Sequence, residues 1–167
     1  NKIKIFYISA GRSDYGLIKN GIKEFQKNKS IKCYPIILGA HKTNKFGNTI
    51  LDIKKDKLQN ITEISTKFIN NKKNNTINYF QQILLKFNQL VIKYKPNICI
   101  ITGDRYDMMA ISLICVNHNV PIVHFCGGSV TLGSHDDKYR NSISQFSKLH
   151  FVETKYHRFE LIKKGIS

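Results

Sequence analysis

Short β-branched runs alternate with longer amphipathic stretches along the whole chain. Residues 2–9, 31–38, 61–65, 97–102, 121–125 and 149–152 read as strands. Residues 17–28, 48–56, 76–94, 106–118, 136–147 and 155–164 read as helices. The clearest helical spacing is Ile77, Phe80, Ile83, Leu84, Phe87, Leu90, Val91 and Tyr94, closed by Pro96. Several strands are apolar throughout rather than alternating, as expected of a parallel sheet covered on both faces. The pattern predicts an α/β fold, a Rossmann-like doubly wound parallel sheet.

In such sheets, ligands bind outside the carboxyl ends of the strands. Three loops fall there. The first is Gly11-Arg12-Ser13-Asp14-Tyr15-Gly16, read as a glycine-bearing turn after the first strand. The second, Gly103-Asp104-Arg105, ends the apolar run 98–102 in a carboxylate and a guanidinium. The third runs from His124 through Cys126-Gly127-Gly128-Ser129 to Asp136-Asp137 and Arg140. Arg12 at a helix mouth suits an anion, because free backbone N–H groups add to its guanidinium. Paired glycines let backbone approach a ligand closely. Asp104 and Asp136 also read as helix caps, His124 as a core histidine, and His41 as loop decoration.

Composition narrows the classes. The 167 residues suit one domain with a sizeable core, and no repeat or linker is evident. Neither a secretory signal nor a bilayer-length apolar run is visible. Four widely spaced cysteines form no C-x-x-C pair, so zinc-ligand spacing is missing and a reducing cytoplasm is the simplest setting. The first strand is not followed by G-x-G-x-x-G, and no strand leads into Gly-Lys-Ser/Thr. A nicotinamide, flavin or P-loop reading is therefore unsupported.

The net charge of +16 comes from scattered lysines, which argues against nucleic-acid or membrane binding. Only four basic residues are arginine, the better bidentate phosphate clamp, and three of them (Arg12, Arg105, Arg140) lie in the loop segments. Asp14, Asp104, Asp107, Asp136 and Asp137 lie there too, five of only 11 acids.

These residues carry a resemblance. The chain resembles the N-terminal half of the hydrolysing UDP-N-acetylglucosamine 2-epimerases of sialic acid biosynthesis. The matching segments are 11–16, Gly39-Ala40-His41 with Phe46-Gly47-Asn48-Thr49, 103–107, His124-Phe125-Cys126-Gly127-Gly128, 136–140 and Ser147-Lys148-Leu149-His150. The resemblance implies the first of two Rossmann-like domains in a glycosyltransferase B-type fold, residues 1–167 holding that domain and the second having no counterpart in them. It implies expulsion of UDP from a UDP-sugar by elimination, then hydration to a free 2-epimeric sugar of the N-acetylmannosamine type. No metal or redox cofactor is expected, and the full-length form is expected to be a cytoplasmic homo-oligomer. Asp104 and Asp136, with Asp137 beside it, match catalytic carboxylates. Arg12, Asp14, His41, Arg105, Gly127, Gly128 and Arg140 are the expected substrate-binding residues.

Three positions depart from the family pattern. Cys126 and Ser129 stand where Glu or His and Glu are usual, and Asn141 stands for His. A neutral thiol is a poor substitute for a carboxylate at neutral pH. A sugar-nucleotide-binding relative with impaired catalysis is the alternative.

Overall fold

Six parallel strands form one sheet in the order β3-β2-β1-β4-β5-β6 in the computed structural model. The residues described are 2–38, 41, 50–66, 75–131 and 135–166. The strands are β1 (Ile3–Ser9), β2 (Ile31–Leu38), β3 (Thr62–Ile64), β4 (Ile98–Thr102), β5 (Ile122–Phe125) and β6 (Leu149–Phe151). The helices are α1 (Arg12–Lys27), α2 (Ile50–Lys55), α3 (Asn75–Tyr94), α4 (Tyr106–Asn117), α5 (Asp136–Phe146) and α6 (Lys155–Lys163). This is the doubly wound order, with the switch in chain direction between β1 and β4.

The pleat sends alternate residues of each strand to opposite faces. Phe6 and Ile8 of β1 join Tyr34, Ile36, Cys99 and Ile101 under α3 and α4. Ile5 and Tyr7 turn the other way, to Cys33, Ile37 and Ile100 under α1. Both sets are buried, which is why these strands carry no polar alternation. The expected α/β architecture is therefore present.

One boundary differs from expectation by five residues. The turn read at 10–16 is already helix from Arg12. Gly16, read as a break, lies inside α1. The Asp14 carboxylate accepts the N–H groups of Ala10 at 2.6 Å and Gly11 at 3.1 Å, so the helix is anchored ahead of the glycine. Tyr15, Ile18 and Ile22 then supply its buried stripe. The short third strand is trimmed to 62–64, and among the described residues the second helix runs over 50–55. Residues 39–40 and 42–49, the polar stretch 70–74, and residues 132–134 of the third loop lie outside the described residues.

Gly128 shows how the loop after β5 is held. Its φ is +78°, and a Cβ there lies 2.2 Å from the backbone oxygen of His157 in α6. That oxygen belongs to a helix and cannot swing away. Gly165 has a similar φ of +76° but open space around it. Gly165→Ala is expected to cost about 1 kcal/mol from backbone conformation alone. Gly128→Ala should cost about 3 kcal/mol or more, since strain and clash add. Urea unfolding of both variants checks this; equal losses would contradict the packing argument.

Candidate active site

The carboxyl ends of β1, β4 and β5 meet at a cleft of about 160 Å³ lined by Ser13, Asp14, Leu17, Thr102, Gly103, Asp104, Arg105 and Cys126. It lies at the switch point between β1 and β4, where the strands' onward connections diverge and leave a crevice.

Gly103 opens the wall after β4. Its φ of +84° suits glycine and turns the chain so that Asp104 follows at the strand end. His124, in the neighbouring strand, holds that turn. Its Nε2 lies 2.8 Å from the Gly103 carbonyl and its Nδ1 3.1 Å from the Ser144 hydroxyl. Nε2–H therefore donates to the carbonyl while Nδ1 accepts from the serine. Burial pushes the His124 imidazole down to about 4, with His150 and Arg140 acting in the same direction. The core-histidine reading of His124 holds, and its ring fixes the backbone just before Asp104.

Asp104 itself is paired. Its carboxylate accepts from Arg140 Nη2, while Arg140 Nη1 binds Asp137. The same guanidinium donates to the Ser129 carbonyl at 2.6 Å and to Thr131 Oγ1 at 3.1 Å. Asp137 also accepts the Thr131 N–H at 2.9 Å. Arg140 is buried. This expected substrate-binding residue has four protein oxygens around its guanidinium.

Arg105 is turned toward Asp107, its Nη2 at 3.2 Å. Asp107 is fully buried and also accepts the Met108 N–H at 3.1 Å. Burial pushes its carboxyl up, while Arg105 pulls it down. The Arg105 side chain remains partly exposed along the cleft.

On the β1 side, Asp14 is buried with Oδ2 on the two loop N–H groups. Its Oδ1 is buried without a hydrogen-bond partner among the described residues. Burial raises this carboxyl, against the two backbone N–H groups and Arg105. Arg12 opens α1 at the same strand end.

His41 departs from the surface-decoration reading. It is buried, with Nε2 2.9 Å from the Ser9 hydroxyl and its ring edge-on to Tyr15. Burial and the Arg105 charge push it down to about 4. A loop position hides this, because nothing local in the sequence shows that His41 packs against the end of β1.

The paired glycines have packing reasons. A Cβ at Gly127 meets Ser144 Oγ at 3.1 Å and His124 Nδ1 at 3.2 Å, while Gly128 abuts α6. Asp136 is the first residue of α5 and exposed. Sequence reasoning missed Glu153, just past β6. Its carboxylate meets His157 Nδ1 at 2.8 Å and the Ser129 hydroxyl at 3.5 Å.

Comparison with known proteins identifies the family and the fold. Residues 23–167 match the UDP-N-acetylglucosamine 2-epimerase family. The chain belongs to that family. A Campylobacter jejuni relative, GDP/UDP-N,N'-diacetylbacillosamine 2-epimerase (hydrolyzing), is 33% identical over 99% of this chain and 43% of its own length. The Legionella pneumophila UDP-N,N'-diacetylbacillosamine 2-epimerase (hydrolyzing) is 30% identical over 97% of the chain and 43% of its own. The chain thus spans less than half the length of these curated relatives. The crystal structure of Neisseria meningitidis UDP-GlcNAc 2-epimerase bound to UDP-GlcNAc superposes with a TM-score of 0.85, at 19% identity, over 99% of this chain and 44% of that one. The resemblance read from the strand-end loops is therefore a family relationship, and the fold is that of this epimerase family.

The two buried histidines set a pH dependence. Each is held near 4 in the fold and returns to about 6.5 on unfolding. Between those values the unfolded chain binds protons that the fold refuses. Their stabilising effect is full above pH 6.5 and is lost as pH falls toward 4, by up to about 3 kcal/mol each. The raised carboxyls of Asp14 and Asp107 act in the opposite sense in every variant compared. Denaturation of His124→Gln between pH 7 and pH 4.5 should show a shallower loss of stability than the parent; parallel curves would refute the assignment.

Proposed function

We propose that this chain is the N-terminal half of a hydrolysing 2-epimerase acting on a UDP-linked acetamidosugar. The observation that carries the reading is the switch-point cleft in which Asp104, Asp14, Arg105 and Cys126 converge. At about 160 Å³ it is smaller than the range typical of ligand pockets. A sugar nucleotide then needs a second wall, which the remainder of the full-length protein supplies. Two curated relatives at 30% identity or more act, by name, on diacetylbacillosamine nucleotides, which favours an acetamido-bearing sugar.

In this mechanism the C2 proton is removed as the C1–oxygen bond to UDP breaks, giving a glycal-like intermediate. Water adds at C1 and a proton returns to C2 from the other face. Asp104 stands at the end of β4 as an acid–base group and stabilises positive charge developing at C1. Asp136 and Asp137 are further acid–base candidates at the start of α5. Arg12 and Arg105 take the diphosphate, where guanidinium contacts are short and bidentate. Asp14 presents to a ligand donor the oxygen that has no partner among the described residues, and His41 backs the β1 wall. Gly127 and Gly128 shape the loop, and Arg140 acts from behind by fixing Asp104 and Asp137. The protein works in the cytoplasm as a homo-oligomer, without metal or redox cofactor.

The test is to incubate the full-length protein with UDP-N-acetylglucosamine and, separately, UDP-N,N'-diacetylbacillosamine. Release of UDP together with the free 2-epimeric sugar is expected. Asp104→Asn should lower kcat by about 10²–10⁴-fold. Failure to release UDP from any UDP-acetamidosugar would overturn the proposal. Binding without release would instead favour a sugar-nucleotide-binding relative, a reading favoured by the ties of Asp104 and Asp137 to Arg140.

A further inference from the structure

Arg140 and Arg105 both stand at the cleft, and the fold holds them differently. The Arg140 side chain is only 6% exposed, with a carboxylate on each Nη atom. The Arg105 side chain is 42% exposed and is held along one edge. Its Nε lies 3.3 Å from each oxygen of Asp107, and its Nη2 lies 3.2 Å from Oδ2. Nη1 meets no protein acceptor among the described residues. It lies by the start of α1, where a Cβ built on Gly11 is 4.0 Å from it.

Asp107 is a costly residue where it stands. It sits in the first turn of α4, fully buried, in the same helix as buried Met108, Ala110 and Ile111. Its Oδ1 accepts the Met108 N–H at 3.1 Å. Tyr106, one residue earlier, packs edge-on against buried Tyr79 at 5.8 Å, which fixes the helix start. The carboxylate therefore cannot follow a moving arginine, and the arginine must come to it. A buried ion pair is often no more stable than apolar side chains of similar volume. Stability alone gives little reason for a carboxylate here. Direction gives a better one. A half-exposed arginine has many rotamers, and contact along one edge with a fixed carboxylate selects among them.

We propose that Asp107 is a positioning residue for substrate binding. It holds the Nε–Nη2 edge of Arg105, so that Nη1 is presented beside α1 to the diphosphate of a UDP-sugar. The inference rests on the epimerase reading and on the diphosphate contact given there to Arg105. The 16-residue helix α1 begins at Arg12, so the positive end of its dipole lies at the same space. Asp14 adds an independent sign of a ligand. Its Oδ1, buried and without a partner among the described residues, belongs to the cleft that Arg105 lines. A sugar nucleotide answers both groups. Its phosphate oxygens accept from Nη1, and its hydroxyls donate to Asp14.

The test uses the full-length protein, with UDP affinity read by calorimetry and KM and kcat read for a UDP-acetamidosugar. Asp107→Asn is expected to weaken UDP binding and raise KM by about tenfold, with kcat within about threefold. A merely structural role would lower the active fraction, and so kcat, while KM and UDP affinity stayed put. Arg105→Ala should lose about 10²-fold in UDP affinity, and adding Asp107→Asn should change that by less than about twofold. Arg105→Lys leaves the core residue in place and should bind UDP no better than Arg105→Ala. An ammonium lacks the fork that meets Asp107 and a phosphate together. A wild type that neither binds UDP nor releases it fails the epimerase reading and this one with it. With an active wild type, three results overturn only the positioning role. They are unchanged UDP affinity in Asp107→Asn, a further loss on the Arg105→Ala background, and wild-type affinity in Arg105→Lys.

Discussion

The cleft depends on one buried guanidinium. Arg140 sits on α5 yet binds oxygens from three separate places: Asp104 after β4, Ser129 and Thr131 after β5, and Asp137 on its own helix. A buried cation is costly unless its charge and its N–H groups are met. Two carboxylates and two neutral oxygens meet those of Arg140. The requirement runs both ways, because Asp104 is then fixed at the strand end instead of reaching into solvent. Removing either side leaves a buried charge unpaired, a loss of about 3–5 kcal/mol in comparable cases.

Around this clamp the strand ends are shaped by backbone. Gly103, Cys126 and Gly128 all have positive φ, and each turns the chain sharply after β4 or β5. His124 fastens the first turn through the Gly103 carbonyl, and Gly128 lets α6 close over the second. The topology gathers these turns, because neighbouring parallel strands end on the same edge of the sheet. Chemistry therefore collects where sheet hydrogen bonding stops and side chains must satisfy the loops.

The sheet was legible because its strands are buried on both faces and read as unbroken apolar runs. The three loops were legible because scarce arginines and acids concentrate in them. The start of α1 was not, since Gly16 reads as a break and only the Asp14 bonds to Ala10 and Gly11 override it. The internal role of Arg140 was hidden by the 36 residues that separate it from Asp104. The burial of His41 and the place of Glu153 escaped for a similar reason. Ser9 and Ser129, which they meet, lie far off in the chain, and a loop residue carries no periodic mark of burial.

Amide hydrogen exchange of Arg140→Lys against the parent chain tests the clamp most directly. Lysine keeps the charge but lacks the planar fork that reaches four oxygens. Exchange should quicken at residues 103–105 and 126–131 together, while β1 and α3 keep their protection. Unchanged exchange in both loops would contradict an organising role for Arg140.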